Sequence, residues 1–405
     1  MQRFCDHPLG DAPKIVVLGA AKLGNYVVLQ PLLRGLREKY PQADLTYVGS
    51  RRTAELEQGN PWISRSLPLA EQGEEAAPAL TSLRGADLVI NADGHSPHTL
   101  AWLAALAPRY VVGAAPIPVG DHPLQRLALD PHWARADLVG RYRGWIDSNS
   151  IRELHCRVAW VVTDFERVEL PQAEPPTNLP PVLIAVNGER PAKLWPLHHW
   201  LDLLDALQLE WDLAPEMLGL LGGPPPAVAE RSGDLLEQQL LHNRPLRDLR
   251  GKLTLPELVG AMRRSRLCIA VDSGPLHLAA ASGCPTLAIF GTDSAGIGAS
   301  PRDLWAPRSP NVWMSRSAAS CSLCMEQLYQ PSSCELEVHH CMGEVRPETL
   351  LKSLRSQEWH QSAAGYQARL RMRQERWESS THSCDSSANR PVNPKALAHG
   401  ASPQE

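Results

Sequence analysis

The 405-residue sequence carries no surplus of positive charge: Lys and Arg number 40, Asp and Glu 44, and the formal net charge is −4. Without a basic excess to neutralise phosphates, nucleic acid is excluded as a partner. No apolar run approaches the roughly 20 residues of a spanning helix, so a soluble chain is expected. The first eight residues lack the basic region and apolar core of a secretory signal. The expectation is a cytoplasmic protein, with peripheral contact at the inner face of the membrane left open. A Gly-x-Gly-x-x-Gly fingerprint is also missing after the first apolar run, which argues against a nicotinamide cofactor.

What is present is enough apolar material for well-filled cores, 43% of the residues, and length for two domains with a tail left over. The 36 prolines mark many loop boundaries, as in an enzyme of short alternating elements. Residues 14–18 read as a buried strand, 19–25 as a glycine-bearing turn, and 26–40 as a helix with Val28, Leu32, Leu33 and Leu36 on one face. Strands follow at 44–48, 87–90 and 110–113, with a helix over 100–106. Residues 114–150 read as a polar, irregular connection and 150–162 as helical.

A proline-rich linker, 171–181, divides the chain, and the α/β pattern restarts with a strand at 182–186 and a helix over 197–209. A strand over 217–221 ends in Gly222-Gly223-Pro224, and a helix spans 227–241. Thr254 and Glu257 have the spacing of a capping box at the head of a helix over 255–264. The organising stretch is 268–293, where one apolar run ends in Asp272-Ser273-Gly274-Pro275 and a second ends in Gly291-Thr292-Asp293. In a parallel sheet both polar clusters face the crevice outside the carboxyl ends of the strands, where ligands bind. A last helix, within 346–361, is expected to pack back across the domains, and 362–405 to be disordered on composition.

These motifs, in this order over most of residues 14–345, resemble the family 9 glycosyltransferases, best known as heptosyltransferases of lipopolysaccharide core synthesis. The matching pieces are the 15–28 strand, turn and helix start with Gln30-Pro31, then Asn187-Gly188, Lys193, Trp195-Pro196 and Trp200. Gly222-Gly223-Pro224, residues 251–258, Asp272 to His277 and Phe290 to Asp293 continue the series. The resemblance implies a GT-B-like fold, two Rossmann-like parallel-sheet domains facing a cleft. These would be an acceptor-side domain at 1–170 and a nucleotide-sugar-binding domain at 182–345. It further implies inverting, metal-independent transfer from a nucleotide-sugar to a glycolipid or envelope-saccharide acceptor, with heptose as the best-known sugar. The oligomeric state is left open.

The same resemblance assigns donor binding to Gly188, Lys193, Leu253, Asp272, Ser273, Gly274 and His277. Lys193 would be a mobile point charge for the diphosphate, and the backbone at Gly274 would approach it closely. The structural alternatives are a solvated lysine, a helix cap at Asp272 or Ser273, a packed His277 and a core Leu253. Many relatives place a ribose-holding glutamate after Gly-Gly-Pro; Pro226 stands near that position, and Glu230 is a substitute or an exposed helix carboxylate. At position 25, where the family has an aspartate as catalytic base, this chain has Asn25, and an amide takes no proton near neutral pH. Asp93 is the candidate replacement, with a turn aspartate as the alternative; His95 and His98 are further candidates. The other reading of Asn25 is a non-catalytic relative that keeps only nucleotide-sugar binding. Cys321, Cys324, Cys334 and Cys341 form a group of four that admits a structural zinc site, with reduced thiols as the alternative.

Overall fold

Apolar runs such as Ile15–Leu18 and Leu88–Ile90 carry no polar alternation, the pattern of strands covered on both faces. The computed structural model describes residues 1–19, 22–93, 97–119, 122–128, 148, 150–188, 191–227, 231–291, 302–318 and 340–356. Its first sheet contains β1 (Gln2–Arg3), β2 (Lys14–Leu18), β3 (Asp44–Gly49), β4 (Arg65–Pro68), β5 (Leu88–Asn91) and β6 (Tyr110–Val112). All pairings are parallel, in the order β1-β6-β5-β2-β3-β4. The connections include α1 (Leu23–Lys39), α2 (Ala54–Gln58), a 3-10 segment (Ala70–Leu83) and α3 (Pro97–Leu106).

Residues 114–150 differ from the irregular connection expected. They include an antiparallel hairpin of β7 (Ala114–Val119) and β8 (His122–Ala128). Three prolines interrupt the hairpin, which hides a strand pattern. Helix α4 (Ile151–Val158) follows and packs on α1.

The second sheet repeats the plan with β9 (Val182–Ala185), β10 (Leu218–Leu220), β11 (Arg247–Asp248), β12 (Leu267–Val271), β13 (Thr286–Phe290) and β14 (Val312–Arg316). It too is wholly parallel, in the order β11-β10-β9-β12-β13-β14. Its helices include α5 (Leu197–Trp211), α6 (Ser232–Asn243), α7 (Leu255–Arg264) and α8 (Gly274–Ser282). Thr254 caps α7 as its spacing predicts: its hydroxyl accepts from the Glu257 amide at 3.3 Å, and the Glu257 carboxylate accepts from the Thr254 amide at 2.8 Å. The late helix Pro347–Arg355 lies against α5 and β14, in the second unit's core. The stretch 362–405 lies outside the described residues.

In each sheet the strand order reverses once at the centre. Chain progression runs from β2 outward to β3 and β4, then returns to the other side of β2 at β5; likewise it runs from β9 to β10 and β11, then returns at β12. The carboxyl ends of β2 and β5, and of β9 and β12, are therefore the two switch-point crevices where such sheets take ligands.

The two units touch closely. Helix α1 packs against α8, and a Cβ placed on Gly274 would lie 2.9 Å from the Cβ of Leu23. Across the same seam Glu55 of α2 accepts a 2.6 Å hydrogen bond from the amide of Leu255, at the start of α7. The linker residues also hug α7, with the Ala173 amide bonded to the Pro256 carbonyl at 2.9 Å. One apolar cluster consequently runs from Val27 and Leu29 of α1 to Leu276 and Ala279 of α8.

Candidate active site

The loop after β9 and the loop after β12 flank the second switch point, and they bring Lys193 and Asp272 together. Lys193 ends a 3-10 turn (Pro191–Lys193), and its ammonium lies 2.6 Å from the Asp272 carboxylate. Asp272 is the first residue beyond β12. Ser273 is the N-cap of α8, yet its hydroxyl donates back to the Val271 carbonyl at 3.1 Å, so no side chain caps the first turn. Gly274 opens that turn with Pro275 behind it, and His277 is one turn in.

His277 is 4% exposed and its Nδ1 has no hydrogen-bond partner. Burial pushes its pKa down to about 4; Asp272 opposes this, while Arg152 and Lys193 add to it. The imidazole is therefore neutral at neutral pH. Its ring edge rests on the first turn of α1: a Cβ on Gly24 would fall 2.9 Å from His277 Cδ2. Helix α1 has no side-chain cap at Lys22 and no acidic residue in its first turn. Two helix N-termini, each the positive end of a macrodipole, therefore converge on one crevice beside Lys193.

The other residues that the resemblance assigns to donor binding lie at the neighbouring strand ends. Gly188 is buried just beyond β9, next to Asn187, whose amide donates to Asp234 of α6 at 3.2 Å. The Gly251 amide bonds to the Gly222 carbonyl at 3.0 Å, and Gly251 takes a φ of +65° against Pro224. That contact joins the Gly-Gly-Pro turn to the loop carrying the partly exposed Leu253. Behind the turn, Glu237 is buried and ion-paired to Arg250 at 3.1 Å; burial raises its pKa, and Arg250 opposes the rise. Glu230 lies outside the described residues.

At the first switch point, Asn25 sits half-buried in the first turn of α1 and Asp93 just past β5. The Asp93 carboxylate accepts from the Thr99 hydroxyl at 2.7 Å and lies 3.2 Å from His98 Nε2. Its own amide donates to the Asn91 side chain at 3.1 Å, the local turn expected of such an aspartate. His95 lies outside the described residues, as do Cys321, Cys324 and Cys334. Cys341 is partly buried, and no cluster able to hold a metal occurs among the described residues.

Two contributors carry no local sequence signal. Arg152 of α4, ion-paired to Glu166 at 3.0 Å with both side chains buried, adds positive potential at His277. Glu55 reaches the second unit through a contact between positions 200 residues apart. Gly24, by contrast, was visible as a turn glycine; what the structure adds is the His277 ring that occupies its side-chain space.

Among the described residues, no helix is long and apolar enough to cross a membrane. Residues 159–330 match the family model for glycosyltransferase family 9 (heptosyltransferase). Over 329 residues the chain is 24% identical to lipopolysaccharide heptosyltransferase 1 of Pseudomonas aeruginosa, covering 70% of this chain and 80% of that protein. Among solved structures, E. coli ADP-heptose lps heptosyltransferase II aligns with a TM-score of 0.56 at 16% identity, over 84% of this chain and 97% of the other. The iron-containing dodecameric glycosyltransferase TibC of enterotoxigenic E. coli H10407 aligns with a TM-score of 0.51 at 16% identity, over 88% of this chain and 80% of that one. With two parallel-sheet α/β units in a GT-B-like arrangement and this run of matches, the chain is similar to the lipopolysaccharide heptosyltransferases of glycosyltransferase family 9.

Proposed function

We propose that the protein transfers a sugar, with heptose as the first candidate, from a nucleotide-diphosphate donor to a saccharide or glycolipid acceptor, with inversion and without a catalytic metal. The observation that carries this reading is the Lys193–Asp272 pair at the uncapped start of α8, facing the start of α1. An incoming diphosphate finds backbone N–H groups, a positive helix end and an ammonium in one place, the charge pattern that stabilises a departing diphosphate. Asp272 accepts from sugar hydroxyls, Leu253 lines the base pocket, and Gly188 allows close approach. Asn25 positions the acceptor hydroxyl, and proton removal falls to the Asp93 cluster at the adjacent strand end. The heptosyltransferase relatives are named as transferases, which gives the non-catalytic alternative no support.

A thermal-shift screen against ADP- and UDP-sugars tests the donor half, since a ligand that binds only the folded state raises its stability. The expected result is a shift with ADP-heptose that is lost in Lys193→Ala and Asp272→Ala. No shift with any nucleotide or nucleotide-sugar would overturn the reading. Peripheral contact with the inner membrane face would follow from a glycolipid acceptor and is read by co-sedimentation with acceptor-bearing vesicles. For the four-cysteine group we propose a structural metal on the strength of its spacing, zinc being the first candidate. Iron is the second, after the iron-containing glycosyltransferase TibC. Elemental analysis of protein purified without chelator decides between a bound metal and reduced thiols.

A further inference from the structure

We propose that His98, held by Asp93, is the group that takes the proton from the acceptor hydroxyl, in place of the aspartate that this chain lacks at position 25. The inference rests on the transferase reading above and names the base within that same site.

Transfer with an amide at position 25 needs another proton acceptor on the acceptor side of the cleft. The strand order restricts the search to the crevice beyond β2 and β5, the switch point of the first sheet. Asn25 stands beyond β2, and Asp93 with the first turn of α3 beyond β5. A chain of contacts links the two. Tyr26, next to Asn25, packs edge-on against Tyr47 at 5.3 Å. Tyr47 in turn approaches Gly19, the residue after β2, and lies within electrostatic range of Asp93. The nearby Glu57 is an unsuitable base, because it is 1% exposed and accepts from Thr53, Ser66 and the Ser50 amide.

The Asp93–His98 pair has the geometry of an oriented base. Asp93 Oδ2 receives the Thr99 hydroxyl at 2.7 Å and faces His98 Nε2 at 3.2 Å. That contact selects the tautomer with the proton on Nε2, leaving Nδ1 as the basic atom. Trp102, centroid to centroid 5.1 Å from His98, fixes the ring from below. The His98 side chain is 31% exposed against 15% for Asp93, so of the two it is the histidine that an acceptor can reach. Besides Asp93, the charged groups near this end of α3 are Glu71, Glu74 and Glu75 on the adjoining 3-10 segment, all exposed.

In the step itself the acceptor oxygen forms a bond to the anomeric carbon, and the bond from that carbon to the diphosphate oxygen breaks, leaving its electron pair on the diphosphate. The hydroxyl proton passes to Nδ1 of His98, and the Asp93 carboxylate stabilises the imidazolium.

Sugar transfer from ADP-heptose to a lipopolysaccharide-core acceptor, measured with the full chain, tests the assignment. His98→Ala is expected to lower kcat by about 10²- to 10⁴-fold while the donor-induced thermal shift stays intact. Asp93→Asn is expected to lower kcat while leaving the donor-induced thermal shift intact, because the imidazole loses the carboxylate that orients it. Asn25→Asp placed in the His98→Ala background is expected to restore turnover, which a merely structural role for His98 does not predict. Wild-type turnover that His98→Ala leaves unchanged overturns the dyad alone. A wild-type protein that binds the donor and turns over no acceptor overturns the dyad together with the transferase reading.

Discussion

The ammonium of Lys193 lies 2.6 Å from the Asp272 carboxylate, with the two side chains 20% and 13% exposed. Both are desolvated enough to interact strongly, yet each still reaches solvent, so the pair is held at the mouth of the crevice and not locked in the core. The contact keeps the lysine extended beside the first turn of α8, where a donor diphosphate can take it over. Lys193→Ala is expected to reduce kcat/KM by about 10²- to 10³-fold, the loss typical of one donor to a developing negative charge. Lys193→Arg should recover only part of this, since a planar fork does not replace a point charge. Steady-state kinetics against donor concentration measures both.

Glu55 supplies the carboxylate that accepts from the Leu255 amide, 2.6 Å away, at the positive end of α7. Helix α7 follows the loop of Leu253 and packs on α8, so this one bond ties the first unit to both walls of the candidate donor site. Glu55→Ala should cost about 1 kcal/mol of stability, as for loss of a cap or a helix-dipole partner. Urea unfolding gives the stability, and the donor KM should rise in the same variant if the bond also holds the cleft closed.

The parts of this molecule that were legible in the sequence are those where local chemistry and long-range packing agree. Runs such as Leu267–Val271 and Thr286–Phe290 are apolar without alternation and end in polar residues, so strand, end and ligand side are all marked. The Thr254 and Glu257 pair marks the start of α7 by itself. Strands β1 and β11 contain two residues each, too few for a periodic signal, and the β7–β8 hairpin is broken by prolines. Asp272 and His277 stand directly after a strand end and Lys193 was singled out by the family resemblance; what the structure adds is the contact between Lys193 and Asp272. Glu55 and Arg152 were not singled out, because their importance arises only when α2 and α4 are docked. The pairing of Asp93 with His98 lay between these cases: the turn was readable, but the orientation of the imidazole needed the first turn of α3.

Two buried histidines make stability depend on pH. Burial pushes both His155 and His277 down to about 4 from an ordinary value of 6.5. Above pH 6.5 each is neutral in both folded and unfolded chains and contributes no penalty. As the pH falls from 6.5 towards 4, the unfolded chain binds a proton that the folded one refuses, so stability drops across that window. Each group accounts for about 3 kcal/mol when the window has been crossed. His155→Gln lies outside the crevice and should flatten the slope of unfolding free energy against pH by about one proton. Urea titrations at pH 7.5, 6.0 and 5.0 read that slope, and an unchanged slope would show that His155 is protonated in the folded chain.

Gly24 poses a sharper test of how firmly the two units are joined. It lies inside α1, where alanine is the better helix former by about 1 kcal/mol. If α1 stood alone, Gly24→Ala would stabilise the protein. The added methyl group would, however, arrive 2.9 Å from His277 Cδ2, a ring that is buried and has no room to retreat within α8. Overpacking of this kind costs about 1 to 3 kcal/mol, so the net expectation is a lower unfolding free energy and a weaker donor response. The clash belongs to one pair, and a double-mutant cycle isolates it. In a His277→Ala background the same Gly24→Ala change should become stabilising, because the obstructing ring has gone and the helix gain remains. A Gly24→Ala effect of the same size with and without the His277 ring would mean that the α1–α8 seam opens freely, and that the crevice is completed only when a donor closes it.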